Sequence, residues 1–176
     1  GNPYSNLTEI LSVAHSDKEP LFLLILDTLQ DPQNLGSLLR TSEAVGVHGV
    51  LLPLRHTVTI TPTVVNASSG ASEHLLIAQM NLARAIRDLK KEGLWIIGLD
   101  QGESARHFDE IRLDGPVAIV VGSEGHGMRA LVRDSCDVLM KLPMRGRIDS
   151  LNAAVAGSVA LYEVWKRRNF SGMIDH

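Results

Sequence analysis

The sequence predicts an α/β domain built on a parallel six-stranded sheet with helices on both faces. Short apolar runs bounded by turn residues alternate with segments of helical periodicity, which is the sequence form of repeated βαβ units. Most of the runs are apolar at every position, as strands covered on both faces must be. In addition, three glycine-bearing polar segments each follow an apolar run directly, at the strand ends where open α/β sheets carry ligands.

Residues 1–19 are polar, with a modest helical pattern through Leu7, Ile10, Leu11 and Ala14. They read as a linker helix or a lead-in from an absent domain, and 20–176 as the folded domain. The chain opens Gly1-Asn2-Pro3 with no initiator Met, as a trimmed boundary would. Strands are predicted at 22–26, 49–52, 75–78, 94–99, 117–121 and 138–142. Helices are predicted at 35–44, 82–92, 129–135 and 151–168, with a shorter one at 62–67. In the last helix Leu151, Val155, Val159, Tyr162 and Trp165 recur at helical spacing and form one apolar stripe. Its first turns hold Ala153, Ala154, Ala156, Gly157, Ser158 and Ala160, small enough for a second helix to approach closely, within the subunit or across a dimer.

At 176 residues and 44% hydrophobic composition the chain is long enough for one domain with a real core. Its formal charge of −3 excludes a whole-surface grip on nucleic acid, so an RNA site must be a local patch. Two basic clusters are candidates: Arg145 with Arg147, and Lys166 with Arg167 and Arg168. The one cysteine, Cys136, cannot form an internal disulfide and is expected to fill core space, which fits a reducing cytoplasm. The strongest apolar run, 21–26, is far shorter than the roughly 18 to 20 residues that span a bilayer.

The first strand-end segment is Asp31-Pro32-Gln33-Asn34-Leu35-Gly36, with Arg40 one turn into the following helix. Pro32 and Gly36 shape a turn and Asn34 is a candidate N-cap. Arg40 projects near the carboxyl end of the sheet, as a ligand contact or as an ion-pair partner. The second segment is Gly122-Ser123-Glu124-Gly125-His126-Gly127, whose glycines allow close backbone approach and positive φ. Glu124 could cap the next helix, hold a neighbouring Arg or Asn, or contact substrate. The third runs from Leu142-Pro143-Met144 through Arg145-Gly146-Arg147-Ile148-Asp149 to Ser150-Leu151-Asn152, with Asp149 or Ser150 available as a helix cap.

Other chemistries lack their anchors. No dinucleotide fingerprint G-x-G-x-x-G and no G-x-x-x-x-G-K-[ST] phosphate loop occurs, which disfavours a nicotinamide-dependent oxidoreductase. There is no H-E-x-x-H, no cysteine cluster and no G-x-S-x-G, so neither a metal site nor a hydrolase triad is expected. His126 reads as a loop histidine.

Taken together and in this order, the three segments resemble the motifs of the SpoU, or TrmH-type, branch of the SPOUT methyltransferases, from about Pro20 onward. The resemblance implies a C-terminal trefoil (α/β) knot, which the ordinary connection rules would never predict. It implies S-adenosylmethionine as cofactor, RNA as substrate and a homodimer that completes the active site. Gly122, Leu142 and Leu151 correspond to cofactor contacts made largely through backbone groups, with Met144 and Asn152 beside them and Gly98 and Leu99 lining the adenosine pocket. Arg40 resembles the family's catalytic arginine, and Asn34, Glu124, Ser150 and Asn152 the polar residues that organise it.

Residues 4–11, Gly46-Val47-His48-Gly49 and Gly93-Leu94-Trp95-Ile96 are further similar to bacterial 23S ribosomal RNA guanosine-2′-O-methyltransferases. Those enzymes carry an N-terminal RNA-binding domain. The expectation is therefore a cytoplasmic enzyme that methylates the ribose 2′-hydroxyl of a guanosine in 23S rRNA. The alternatives are a tRNA 2′-O-methyltransferase and a catalytically inactive RNA-binding or ribosome-assembly protein of the same fold.

Overall fold

The computed structural model describes residues 3–176. The strands are β1 (Phe22–Leu26), β2 (Gly49–Leu52), β3 (Ile77–Gln79), β4 (Trp95–Leu99), β5 (Arg106–His107), β6 (Val117–Val121) and β7 (Val138–Lys141). They form one sheet in the order β3-β2-β1-β6-β4-β7-β5, and every neighbouring pair is parallel. Every residue of β1, β2 and β6 is buried, which is why these strands read as unbroken apolar runs.

The sheet has seven strands rather than six. β5 pairs its two residues with Met140 and Lys141 at the sheet edge, and both are exposed, so no apolar run announces it. The remaining strands match the expected positions within two residues.

The helices are α1 (Leu7–Asp17), α2 (Pro32–Val45), α3 (Pro62–Ala67), α4 (Leu82–Lys91), α5 (Ala130–Ser135) and α6 (Ala153–Arg167). Successive strand residues feed opposite layers. Phe22, Leu24, Leu26, Ile119 and Val121 join Leu35 and Leu38 of α2, Val64 of α3 and Leu161 and Val164 of α6. Leu23, Ile25, Ala118 and Val120 join Ile10 of α1, Ile86 and Leu89 of α4 and Val132 of α5. Helices therefore cover both faces.

Residues 4–10 are docked onto the sheet and its loops. Ile10 is fully buried against β2 at Gly49, where a Cβ would lie 2.4 Å from an Ile10 methyl. Ser5 donates to the Ile77 carbonyl at 2.6 Å, and the Tyr4 hydroxyl accepts from the Ile60 N–H at 3.2 Å.

Two helix caps differ from expectation. α2 starts at Pro32 with Asp31 as N-cap, its carboxylate accepting from the Gln33 N–H at 2.8 Å, which frees Asn34 for another partner. α6 is capped by Asn152 rather than by Asp149 or Ser150, its Oδ1 accepting from Ala154 at 2.9 Å and Val155 at 3.3 Å.

The small residues of α6 pack within the subunit. A Cβ on Gly157 would lie 2.6 Å from Leu38 and 3.2 Å from Val121, and the Thr41 and Ser158 hydroxyls share a hydrogen bond of 2.8 Å. The large residues point the other way: Leu151, Val155, Val159 and Tyr162 are 39–50% exposed. No helix among the described residues is long and apolar enough to cross a membrane.

Candidate active site

In sequence order the strands run outward from β1 to β3 at one edge, and the chain then crosses to the other side, where β6 inserts next to β1. The carboxyl ends of β1 and β6 therefore flank the point where strand order reverses, the preferred ligand position in such sheets. The first two sequence segments follow β1 and β6 there, and the third leaves β7, two strands away from β6.

The first two are fastened together. The Asn34 side-chain amide, 8% exposed, donates to Glu124 Oε1 at 2.5 Å across 90 residues of chain. Below that contact lies an ion pair that the sequence reading did not single out. Asp27, at the end of β1, is fully buried; its carboxylate accepts from the Arg129 backbone N–H at 2.7 Å, from Nε at 2.8 Å and from Nη2 at 2.7 Å. A charge so deeply buried is tolerable only when fully hydrogen-bonded. A charged residue terminating a five-residue apolar strand was the available signal.

Within the second segment Ser123 and Gly127 exchange backbone hydrogen bonds of 3.0 and 2.9 Å, closing a tight loop. Gly125 and Gly127 take φ of 80° and 69°, where side chains are strained. A Cβ on Gly122 would lie 2.2 Å from the Gly127 carbonyl carbon and the Met128 nitrogen, so the loop folds back over that glycine.

The third segment contrasts with these. Residues 145–152 are exposed throughout, and Ile148 is 75% exposed. Its two ends are held. At the root, Leu142 donates its N–H to Gln101 Oε1 at 3.0 Å, and Gln101 Nε2 donates to the Leu142 carbonyl at 3.3 Å. At the far end Asn152 caps α6, whose Gly157 sits against both Leu38 and Val121, so the third segment delivers its helix to the first two. Ser150 is exposed, Met144 half-buried and Leu151 partly exposed.

Arg40 is exposed, and among the described residues it makes no hydrogen bond or ion pair, which removes the ion-pair reading at least within the chain. Arg145 and Arg147 are likewise exposed and unpaired. In the other basic cluster Lys166 is exposed, while the two arginines are spent on structure. Arg168 donates to the carbonyls of Pro20, Leu21 and Gly115, and Arg167 to Glu163 and to the carbonyls of Ile111 and Phe108.

Gly98 faces the space taken by Met128 and Cys136, with a Cβ position 2.8 and 2.9 Å from their side-chain atoms; Leu99, half-buried, packs against the main core. Burial pushes the Cys136 thiol up to about 12, so it is an inert filler, as expected. A cavity of about 840 Å³ lies at the opposite, amino end of the sheet beside Phe22, Trp165 and Arg168, away from these loops.

A nucleoside-bearing cofactor fits this donor set. The Leu142 N–H and carbonyl are a donor and acceptor pair of the kind a base can engage, here taken by Gln101, and Glu124, Ser150 and Asn152 add polar groups on the neighbouring loops.

The chain belongs to the SpoU rRNA Methylase family, whose model matches residues 21–162. The Bacillus subtilis protein YacO, assigned to the TrmH family of tRNA/rRNA methyltransferases, is 48% identical over 169 residues, covering 94% of this chain and 67% of that protein. An AdoMet-bound rRNA methyltransferase from Sinorhizobium meliloti superposes with a TM-score of 0.79 at 28% identity, over 93% of this chain and 60% of that one. The SpoU methyltransferase AviRb from Streptomyces viridochromogenes, solved with AdoMet, shares the fold with a TM-score of 0.82 at 24% identity, over 96% and 67%. The chain thus spans about two thirds of the length of the curated relatives it matches.

Proposed function

We propose that this chain transfers a methyl group from S-adenosylmethionine to a ribose 2′-hydroxyl of RNA, with a guanosine of 23S rRNA as the target. The observation that carries the reading is the junction of the three segments around β1 and β6: Asn34 on Glu124, and Gly157 on Leu38 and Val121, with an unpaired Arg40 further along α2.

The cofactor, when bound, supplies an electrophilic methyl group on a sulfonium. The backbone groups of Gly122, Leu142 and Leu151 would hold it, with Gly98, Leu99, Met144 and Asn152 around them. Methylation of O2′ would require that the hydroxyl's proton be removed. A guanidinium stays protonated, so Arg40 is not the base. It clamps the neighbouring phosphate and stabilises charge developing on O2′, and a phosphate oxygen takes the proton. Glu124 fixes Asn34, and these two with Ser150 and Asn152 organise Arg40. Arg145 and Arg147 supply the local RNA patch that the net charge requires.

The exposed row Leu151, Val155, Val159 and Tyr162 supports a homodimer built on α6. The knot belongs to the same proposal and is supported by α6 packing on α2 and β6 while β7, which precedes it, lies on the far side of β4.

The test is single-turnover methylation of 23S rRNA and of tRNA, mapped by nucleotide. Arg40→Ala is expected to lose at least about a hundredfold in rate, and Arg40→Lys to stay well below wild type for want of the planar fork. Activity in Arg40→Ala overturns the role of Arg40. Product confined to tRNA overturns the choice of substrate, and absence of product on any RNA overturns the activity.

A further inference from the structure

The Gln101 side chain holds a place whose chemistry points beyond packing. Its carboxamide presents one acceptor and one donor side by side, and both are engaged by the backbone of a single residue, Leu142. An adenine presents the same pair along its Watson–Crick edge, with N1 accepting and the N6 amine donating. We infer that Gln101 is a placeholder: in the cofactor-free chain its carboxamide occupies the Leu142 edge that reads the cofactor's adenine, and it swings into water when the adenine arrives. This rests on the proposed use of S-adenosylmethionine and assigns a function to a residue outside the three segments.

Three observations support it. The β4–β7 ladder ends with Leu99 opposite Met140, followed by the Asp100 N–H on the Met140 carbonyl at 3.0 Å, so the strands are paired before Gln101 is reached. The turn carrying Gln101 is held by its own bonds, Gly102 N–H to Asp100 Oδ2 at 3.0 Å and Ala105 N–H to the Gly102 carbonyl at 3.1 Å. The side chain can therefore leave without unravelling the loop. Finally, Gln101 is exposed whereas Leu142 is buried, so the glutamine loses little by hydrating, while the Leu142 backbone groups need a partner at all times.

A placeholder competes with the ligand, whereas a structural clasp assists it, and the two predict opposite signs. Titration calorimetry with S-adenosylhomocysteine is expected to give binding about three- to tenfold tighter in Gln101→Met and Gln101→Ala than in wild type, the scale of one or two modest hydrogen bonds released from competition. In wild type the Gln101 side-chain amide resonances are expected to move to solvent-exposed values on titration. Adenosine is expected to outbind purine riboside, which lacks the amine, by a margin that persists in the variants.

Weaker or unchanged binding in both variants, or amide resonances that stay put in the complex, overturns the inference and leaves the methyltransferase reading standing. No binding of S-adenosylhomocysteine by wild type or either variant overturns the cofactor reading and, with it, the placeholder.

Discussion

The loop after β6 and the loop after β7 leave the same end of one sheet, with β4 between their strands, yet they are built in opposite ways. The first is fixed inside the chain: Asp27 grips Arg129, Glu124 holds Asn34, Ser123 and Gly127 close the turn, and Gly122 lies under it. The second is anchored only at its ends, by Gln101 at Leu142 and by Asn152 at α6, with an exposed stretch between. Preorganised polar groups lower the cost of binding and chemistry. A segment without internal partners takes its order from what docks on it. The comparison teaches that one loop is fixed by contacts inside the chain, whereas the other is held only at its two ends.

The largest effect is expected where the fixed loop is pinned. Arg129→Ala strands the buried Asp27 carboxylate and should cost about 3 kcal/mol of unfolding free energy, the low end for a broken buried pair because Arg129 is half exposed. Urea denaturation measures it; a loss below about 1 kcal/mol would mean the pair does not pin the loop. Gly122→Ala comes next, at about 2–3 kcal/mol, since its Cβ would meet backbone rather than a yielding side chain. Unchanged stability there would show that the loop does not lie across β6 as described.

A smaller effect sharpens the contrast through pH. His48 is buried, its Nδ1 accepts the Phe22 N–H at 3.0 Å, and burial holds its imidazole below the ordinary value of 6.5, against the pull of Glu19 at 3.3 Å. The unfolded chain takes up a proton below about pH 6.5 that the folded chain refuses. Stability from this group is therefore full above that pH and falls as pH drops toward the depressed folded value. His48→Gln should flatten this part of the stability profile, as read by thermal unfolding from pH 7.5 to 5; an undiminished acid slope would place its origin elsewhere. The smallest effect belongs to the open loop, where Ile148→Ser and Arg147→Ala should change stability by no more than about 0.5 kcal/mol. A larger loss would show a contact inside the subunit that the structure lacks.

These contrasts also set what could be read from sequence. The buried strands were legible because a strand covered on both faces must be apolar throughout, whereas β5, two exposed residues on the sheet edge, leaves no such trace. The three segments were legible as turns with glycine and polar groups, but not what each group holds. Asn34 has the chemistry of a cap, and only its nearness to Glu124, 90 residues away, redirects it. Asp27 and Gln101 were passed over because their partners, Arg129 and Leu142, are neighbours in space alone. The row of large residues on α6 was legible as a stripe, yet periodicity could not tell that the small-residue side is the buried one.

Hydrogen exchange measured by mass spectrometry, with and without S-adenosylmethionine, tests the two-loop account most directly. It predicts slow exchange over 122–129 already in the free protein with little further change, and new protection over 142–152 when the cofactor is added. Equal gains in both segments, or protection confined to 122–129, would contradict it.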